Sequence, residues 1–226
     1  SFSTGVRIGY KEKMPRTPAV FERKTSWHHY SEDLESGLPQ SKSNYCSVKN
    51  NVDKIEKQFE EEAEEGFMRR VSDREAFREY KEELVVAGLG AIEKSDDSFR
   101  VIHDGTHEVR VNPNIKPRDQ VRLPTVAEGR TVLQQNQRRG GSHFALKGDV
   151  KKAHRRVKNL RKDHGKQACR LRRGHVWLNE VGTFGIGSAA YWWSRLIGGP
   201  NRIVMYVMNN RWFWQLLFAD DYLWSS

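Results

Sequence analysis

The chain has 226 residues, with 39 Lys or Arg against 29 Asp or Glu, and its formal net charge is +10. This length is enough for one large domain or two small ones with a buried core. The positive charge favours a polyanionic partner, most simply a nucleic acid. Two distant cysteines, Cys46 and Cys169, argue against a disulfide framework and a zinc site, so we expect an intracellular protein of the cytoplasm or nucleus. No run of 18 apolar residues is present, so no membrane partner is expected.

The first half of the chain begins with a polar segment, residues 1 to about 45, which predicts a disordered or extended arm. Apolar residues then recur every three or four positions, which predicts an amphipathic helix ending at Gly66. A second helix is expected from Asp73 to Ala87. Segments 90–94 and 98–103 flank a turn-forming tripeptide and predict a β-hairpin.

The second half predicts further helices and strands in alternation. They are a helix from Pro124 to Leu133, a buried strand 144–150, a basic helix from Ala153 to about Arg161, a hairpin of 167–171 with 175–179, a helix 189–197 that Gly198-Gly-Pro200 breaks, a helix or strand 202–208, and a terminal strand. Interleaved helices and strands of this kind are typical of an α/β or α+β protein.

Three aspartates lie in apolar surroundings near the ends of predicted strands. Asp149 ends the run 144–149, and Asp220 and Asp221 stand together inside the aromatic run 211–224. Carboxylates in such a setting need a compensating partner, and a hard divalent cation, Mg²⁺ or Mn²⁺, is the usual one. A pair of such ions on neighbouring strands would support phosphoryl transfer. The alternative, which these residues alone favour, is a plain turn at 220–221 and a helix cap at Asp149.

A glycine-rich turn spans residues 182–190 and contains the pattern G-x-G-x-x-A. The pattern is shared with dinucleotide-binding turns of oxidoreductases, but those carry an acidic residue about 20 positions further on. No Asp or Glu occurs between Val181 and Ala219. A loop that lets a substrate backbone approach closely is the better interpretation.

Positive charge is concentrated in residues 151–173, which contain 11 Lys or Arg and one acid, Asp163. Repulsion within such a run is relieved when phosphates neutralise it, so we expect nucleic-acid contact here, with a solvated charged face as the alternative. The candidate contacts are Lys151, Lys152, Arg155, Arg156, Lys158, Arg161 and Lys162. Lys94 and Arg100, on adjacent strands of the first hairpin, are suited to holding a triphosphate, although a surface hairpin carries such charges without a ligand as well.

Five segments in order carry a resemblance to a known family. They are Ala91-Ile-Glu-Lys94 with residues 98–104 and 111–112, Arg122-Leu-Pro124, Phe144-Ala-Leu-Lys-Gly-Asp149 continuing to His154, Thr183-Phe-Gly185-Ile-Gly-Ser188-Ala-Ala190, and Phe218-Ala-Asp220-Asp221. Together they resemble the fingers and the palm motifs A, B and C of retrotransposon reverse transcriptases, of the tyrosine-recombinase or gypsy-like type, over about residues 48–226.

The resemblance implies an α+β right-hand polymerase fold, with fingers at 46–143, a palm at 144–226 that has a small antiparallel sheet packed on helices, and no thumb. It implies RNA-directed DNA synthesis on a primer 3′-hydroxyl, with an RNA template, a DNA or RNA primer and deoxynucleoside triphosphates as partners. Further polymerase segments of a longer product, such as a thumb or RNase H, are also implied partners. The strand that closes the motif C hairpin is expected to be barely present. The alternative is a truncated remnant that only binds nucleic acid.

The resemblance also implies residue roles. Asp149, Asp220 and Asp221 would be catalytic and would hold two Mg²⁺ ions. Lys94 and Arg100 would bind the triphosphate, and Gly185 would line the contact between template and nucleotide. His154 stands where the family has an aromatic residue that screens the sugar 2′ position.

Overall fold

The computed structural model describes residues 1–16, 22–26, 40–140, 143–209 and 213–225. The helices are α1 (Cys46–Lys49), α2 (Val52–Glu64), α3 (Asp73–Tyr80), α4 (Val126–Arg139) and α5 (Ala189–Val207). The strands are β1 (Glu22–Arg23), β2 (Met68–Ser72), β3 (Val86–Glu93), β4 (Phe99–Asp104), β5 (Asp119–Gln120), β6 (Ala145–Asp149), β7 (Ala168–Cys169), β8 (His175–Asn179), β9 (Trp214–Phe218) and β10 (Asp221–Ser225). The chain is therefore an α+β protein. None of its described helices is long and apolar enough to cross a membrane.

Two sheets organise the fold. The larger has the order β2-β8-β7-β3-β4 and is antiparallel except for the parallel pair β3 and β7. The smaller has the order β6-β10-β9 and is antiparallel throughout. A separate short pair joins β1 to β5.

Helix α2 covers one face of the larger sheet, as its apolar period predicts. Ile55 and Phe59 pack in a buried cluster with Leu89 of β3 and Trp177 of β8. Helix α3 packs on another cluster through Ala76 and Tyr80. The prediction of a helix to Ala87 is wrong beyond Tyr80, because residues 86 and 87 pair with β7 as the start of β3.

The first sixteen residues pack into the protein core. Val6, Ile8 and Met14 are buried in a cluster that includes Trp192 of α5, and the backbone of Val6 exchanges hydrogen bonds of 2.8 Å with residues 158 and 160. The prediction of a disordered arm is wrong for this segment and its extended alternative applies, because the buried apolar residues are too few and too irregularly spaced to predict an element. Residues 17–21 and 27–39 of the predicted arm lie outside the described residues.

Helix α5 runs through Pro200, so the predicted break at residues 198–200 is wrong. The first turns are buried through Tyr191, Trp192 and Trp193. Beyond the proline, the side-chain oxygen of Asn201 accepts a hydrogen bond of 2.7 Å from the hydroxyl of Tyr222 in β10. A proline removes one backbone hydrogen bond and usually kinks or ends a helix, and this side-chain contact fixes the turn that follows it.

The smaller sheet leaves β6 at an edge. Ala145, Leu146, Lys147 and Asp149 are all exposed, so the prediction of a buried strand is wrong although the strand itself is present. β10 has five residues, so the hairpin of β9 and β10 is closed by a full strand and the expectation of a barely present one is also wrong. The predicted basic helix from Ala153 is only a 3₁₀ turn, Ala153–Arg156.

Candidate catalytic site

The smaller sheet brings the predicted aspartates together. Asp149 at the end of β6 is the direct partner of Asp221 at the start of β10. Residues directly opposite in an antiparallel pair have Cβ atoms roughly 5 Å apart and share one face of the sheet. Two carboxylates distant in sequence thus stand side by side at one end of the sheet, with Asp220 in the adjoining turn.

The turn that presents Asp220 is held by its backbone. Ala219 adopts a left-handed conformation with φ of 58°, and its carbonyl accepts a hydrogen bond of 2.8 Å from the indole of Trp193 in α5. The carbonyl of Asp220 accepts a bond of 3.0 Å from the amide of Val150. The turn is therefore fixed to both β6 and α5, which sequence reasoning did not identify because a tryptophan in a helix gives no signal of its partner.

A cavity of about 300 Å³ opens beside these carboxylates. Its wall includes Asp149 and Asp220 from the smaller sheet and Lys94 and Arg100 from the β3–β4 hairpin. Lys151 and Lys152 complete the polar rim. Asp149 and Asp220 thus share one cavity with Lys94 and Arg100, although the two pairs come from different sheets.

Three residues predicted for this site, Asp221, His154 and Gly185, are not part of the cavity wall. The carboxylate of Asp221 forms an ion pair of 3.3 Å with Lys147. His154 packs edge-on against Phe184, with ring centroids 4.9 Å apart. Burial lowers the pKa of His154, and the negative charge of Asp220 opposes that shift. Phe184, which the sequence did not single out, lines the cavity instead and lies 5.9 Å from the guanidinium of Arg100.

Gly185 allows the glycine-rich turn to pack closely against strand β4. It has φ of +99°, and a Cβ there would lie 1.9 Å from the carbonyl oxygen of His103. The backbone amide of His103 donates a hydrogen bond of 2.9 Å to the carbonyl of Phe184. The side-chain amide of Asn112 donates one of 2.6 Å to the carbonyl of Gly185. The predicted close backbone approach is present, but the approaching backbone is strand β4.

The carboxylates provide oxygen ligands of the kind that Mg²⁺ prefers. Asp149 and Asp220 face the same cavity, whereas Asp221 is paired with Lys147. Across the described ranges, no three His, Cys, Asp or Glu side chains stand close enough together to form a metal site. Asp149 and Asp220 alone offer only two carboxylates to a cation, so a cation held there would need further ligands from outside the protein.

Acidic residues from other segments neutralise most of the basic stretch. Seven of its side chains form ion pairs, namely Lys152 with Glu65, Arg155 with Glu62, Arg161 with Glu79, Lys162 with Glu12, Lys166 with Glu83, Arg170 with Asp73, and Arg172 with Asp53 and Glu56. These partners lie up to 150 positions away along the chain, so the sequence gives no local signal of them. Repulsion within the stretch is thus relieved largely by the protein itself and not by external phosphates alone.

Arg155 differs most from its predicted role. It is 6% exposed and its guanidinium pairs with Glu62 and donates a hydrogen bond of 2.6 Å to the side chain of Asn179. A guanidinium that is buried and held by these two partners is not available to a phosphate backbone, so Arg155 is removed from the candidate nucleic-acid contacts. Lys151, Arg156 and Lys158 are exposed and form no ion pair with the described residues.

Comparison with known proteins adds no assignment. A scan against protein-family models gives no match to this chain. A search of curated proteins gives no similar sequence.

Proposed function

We propose that the chain is a reverse-transcriptase-like polymerase core that transfers nucleotides to a primer 3′-hydroxyl. The observation that carries the proposal is the shared cavity, whose wall includes Asp149 and Asp220 together with Lys94 and Arg100. Nucleotide transfer needs carboxylates for a metal-bound triphosphate and cations for its phosphate charge, within reach of each other.

Each group has a role in this reaction. Arg100 offers a planar fork for phosphate oxygens and Lys94 a compact positive charge. Asp149 and Asp220 would hold Mg²⁺, which when bound neutralises the charge that develops on the triphosphate. The turn at 219–220 fixes the backbone that carries the second carboxylate, and preorganised charges are the main source of catalysis in phosphoryl transfer.

Primer extension tests the proposal. Wild-type protein with a primed RNA template, deoxynucleoside triphosphates and Mg²⁺ is expected to extend the primer. Asp149→Asn and Asp220→Asn are each expected to abolish extension while leaving binding of the primed template intact or stronger, because a negative charge is removed. Glu93→Gln is the matched control, since it makes the same carboxylate-to-amide change at an exposed position of β3 outside the cavity wall. Extension by Asp149→Asn at the wild-type rate would refute the site.

The second candidate is a protein of the same fold that binds nucleic acid without catalysis. It is favoured by the ion pair between Asp221 and Lys147, which leaves two carboxylates rather than three for a metal. Salt-sensitive RNA binding by the wild type, with no extension under Mg²⁺ or Mn²⁺, would support this alternative.

A further inference from the structure

The second half of helix α5 carries an apolar stripe that the described part of the chain leaves uncovered. Ile203, Tyr206 and Val207 are 64%, 87% and 72% exposed. They lie four, seven and eight residues after Gly199, a spacing that places all four on one side of the helix. Asn201, which contacts Tyr222 of β10, lies on the opposite side. The stripe therefore points away from the smaller sheet and into solvent.

An exposed apolar stripe is unusual on a helix that already packs on the core. A surface helix normally presents polar residues on its outer side. The first turns of α5 bury Tyr191, Trp192 and Trp193, whereas its last turns turn apolar side chains outward. Contiguous exposed apolar side chains of this kind mark an interaction surface.

The shape of the stripe is suited to a second helix. A Cβ added at Gly199 would meet no atom within 4 Å, so the helix surface has a gap one turn before Ile203. Helices pack by inserting the side chains of one into the gaps between the side chains of the other. A side chain of a partner helix can therefore sit over Gly199 while Ile203 and Val207 pack beside it.

The charge beside the stripe has one sign. Arg195 and Arg202 are two helical turns apart, so they lie along the same flank of α5, and neither forms an ion pair with the described residues. Arg202 is exposed, and Arg195 is half-buried with its guanidinium 5.4 Å from the ring of Tyr191. Residues 182–218 contain no Asp or Glu. Carboxylates of a partner would therefore find two cations without a counter-charge on this flank.

We propose that this stripe binds an amphipathic helix of another protein, whose apolar side is flanked by acidic residues about two turns apart. A second copy of the chain is disfavoured, because two molecules of charge +10 repel each other. A lipid surface is disfavoured as well, since the arginines line one flank only, whereas interfacial helices carry cations along their whole polar side. The stripe lies outside the wall of the candidate catalytic cavity, and its binding does not depend on nucleotide transfer.

The test uses the full chain and two fluorescein-labelled helical peptides with the same stripe of leucines, one flanked by Glu and the other by Lys. In fluorescence anisotropy at low salt, the Glu peptide is expected to bind saturably and about tenfold more tightly than the Lys peptide. Arg202→Gln should reduce this preference to about threefold, because one of the two cations is removed.

Two further variants test the stripe itself. Replacing Ile203 and Val207 together with Gln should weaken binding of the Glu peptide by at least about tenfold, because the apolar contact is lost. Val126→Gln removes an equally exposed apolar side chain from α4. It is the control and should leave the affinity for the Glu peptide unchanged.

The wild type alone can overturn the proposal, through the absence of saturable binding of the Glu peptide or through equal affinity for the two peptides. A wild-type dimer in sedimentation that the Ile203 and Val207 substitutions dissociate would place a second copy on the stripe instead. Binding to phosphatidylserine-containing vesicles that the same substitutions abolish would place a lipid surface there. Neither peptide readout changes if primer extension fails.

Discussion

At the scale of single residues, Gly185 is the glycine at which an added side chain would be tolerated least. An alanine there combines a left-handed φ with a Cβ 1.9 Å from a backbone oxygen of β4. We expect Gly185→Ala to lower the free energy of unfolding by at least about 2 kcal/mol, because strain and displacement of the strand add together. Urea unfolding followed by tryptophan fluorescence measures this.

Gly187 in the same turn is the matched control for that substitution. A Cβ there would lie 3.5 Å from the Asn112 side chain, an ordinary contact, so Gly187→Ala should change stability by no more than about 0.5 kcal/mol. Equal losses in both variants would show that the turn is sensitive to any side chain and that the contact with His103 is not the cause.

The buried imidazole of His103 predicts a pH dependence of stability. Its pKa is lowered by burial to about 4, below the unfolded value of 6.5. Above pH 6.5 both states are neutral, and below it only the unfolded state gains the proton, so stability is lost as pH falls from 6.5 to 4. The loss at pH 4 amounts to about 3 kcal/mol from this residue. Unfolding curves at pH 7 and pH 4 should show a smaller difference for His103→Phe than for the wild type, and equal differences would contradict the assignment.

At the scale of elements, the sequence predicted strands and helices where periodicity was regular. The hairpin of β3 and β4 and the antiparallel pair β7–β8 occur as expected, and the helix expected from Val48 to Gly66 forms as α1 and α2. The predicted ends of elements were wrong where tertiary contacts determine how far an element extends. Helix α5 is an example, because the turn after Pro200 is fixed by Tyr222. The burial of β6 was unpredictable because it depends on whether other elements pack against the faces of the smaller sheet.

The same limit applies to the candidate site. Sequence reasoning identified Asp149, Asp220, Lys94 and Arg100, which share a cavity, because strand ends and turns carry local signals. It missed Phe184 and His103, since an aromatic residue in a turn and a histidine in a strand are common in ordinary cores. It also assigned Arg155 wrongly, because a buried partner in a distant helix leaves no local trace.

The ion pair of Arg155 and Glu62 joins the segment after Asp149 to helix α2, and both side chains are largely buried. Replacing Glu62 with Gln leaves a buried guanidinium without its counter-charge, so we expect a loss of about 3 kcal/mol. Glu65→Gln, at the residue that follows α2, breaks the half-exposed pair with Lys152 and should cost less than about 1 kcal/mol. Thermal and urea unfolding compare the two variants, and similar losses would mean that burial is not what distinguishes the pairs.

At the scale of the whole molecule, net charge of +10 does not translate into an even basic surface. Internal ion pairs neutralise most of the positive charge in residues 151–173. Arg173, at the far end of the stretch, is exposed without an ion pair to the described residues, and so are Lys151, Arg156 and Lys158 near Asp149. Lys151 also lines the rim of the candidate catalytic cavity. If a nucleic acid is held next to this cavity, its phosphates should be contacted by these three side chains rather than by the whole stretch.

The salt dependence of binding tests this restricted surface. Each phosphate contact contributes about 0.7 to 0.9 to the slope of log affinity against log salt concentration. Replacing Lys151, Arg156 and Lys158 together with Gln should therefore reduce the slope for an RNA–DNA hybrid by about 2, measured by fluorescence anisotropy across a KCl series. Gln at Arg161 and Lys162, whose partners are Glu79 and Glu12, is the control and should change the slope by less than half as much. A larger effect of the control pair would place the nucleic acid on the opposite end of the stretch, away from the aspartates.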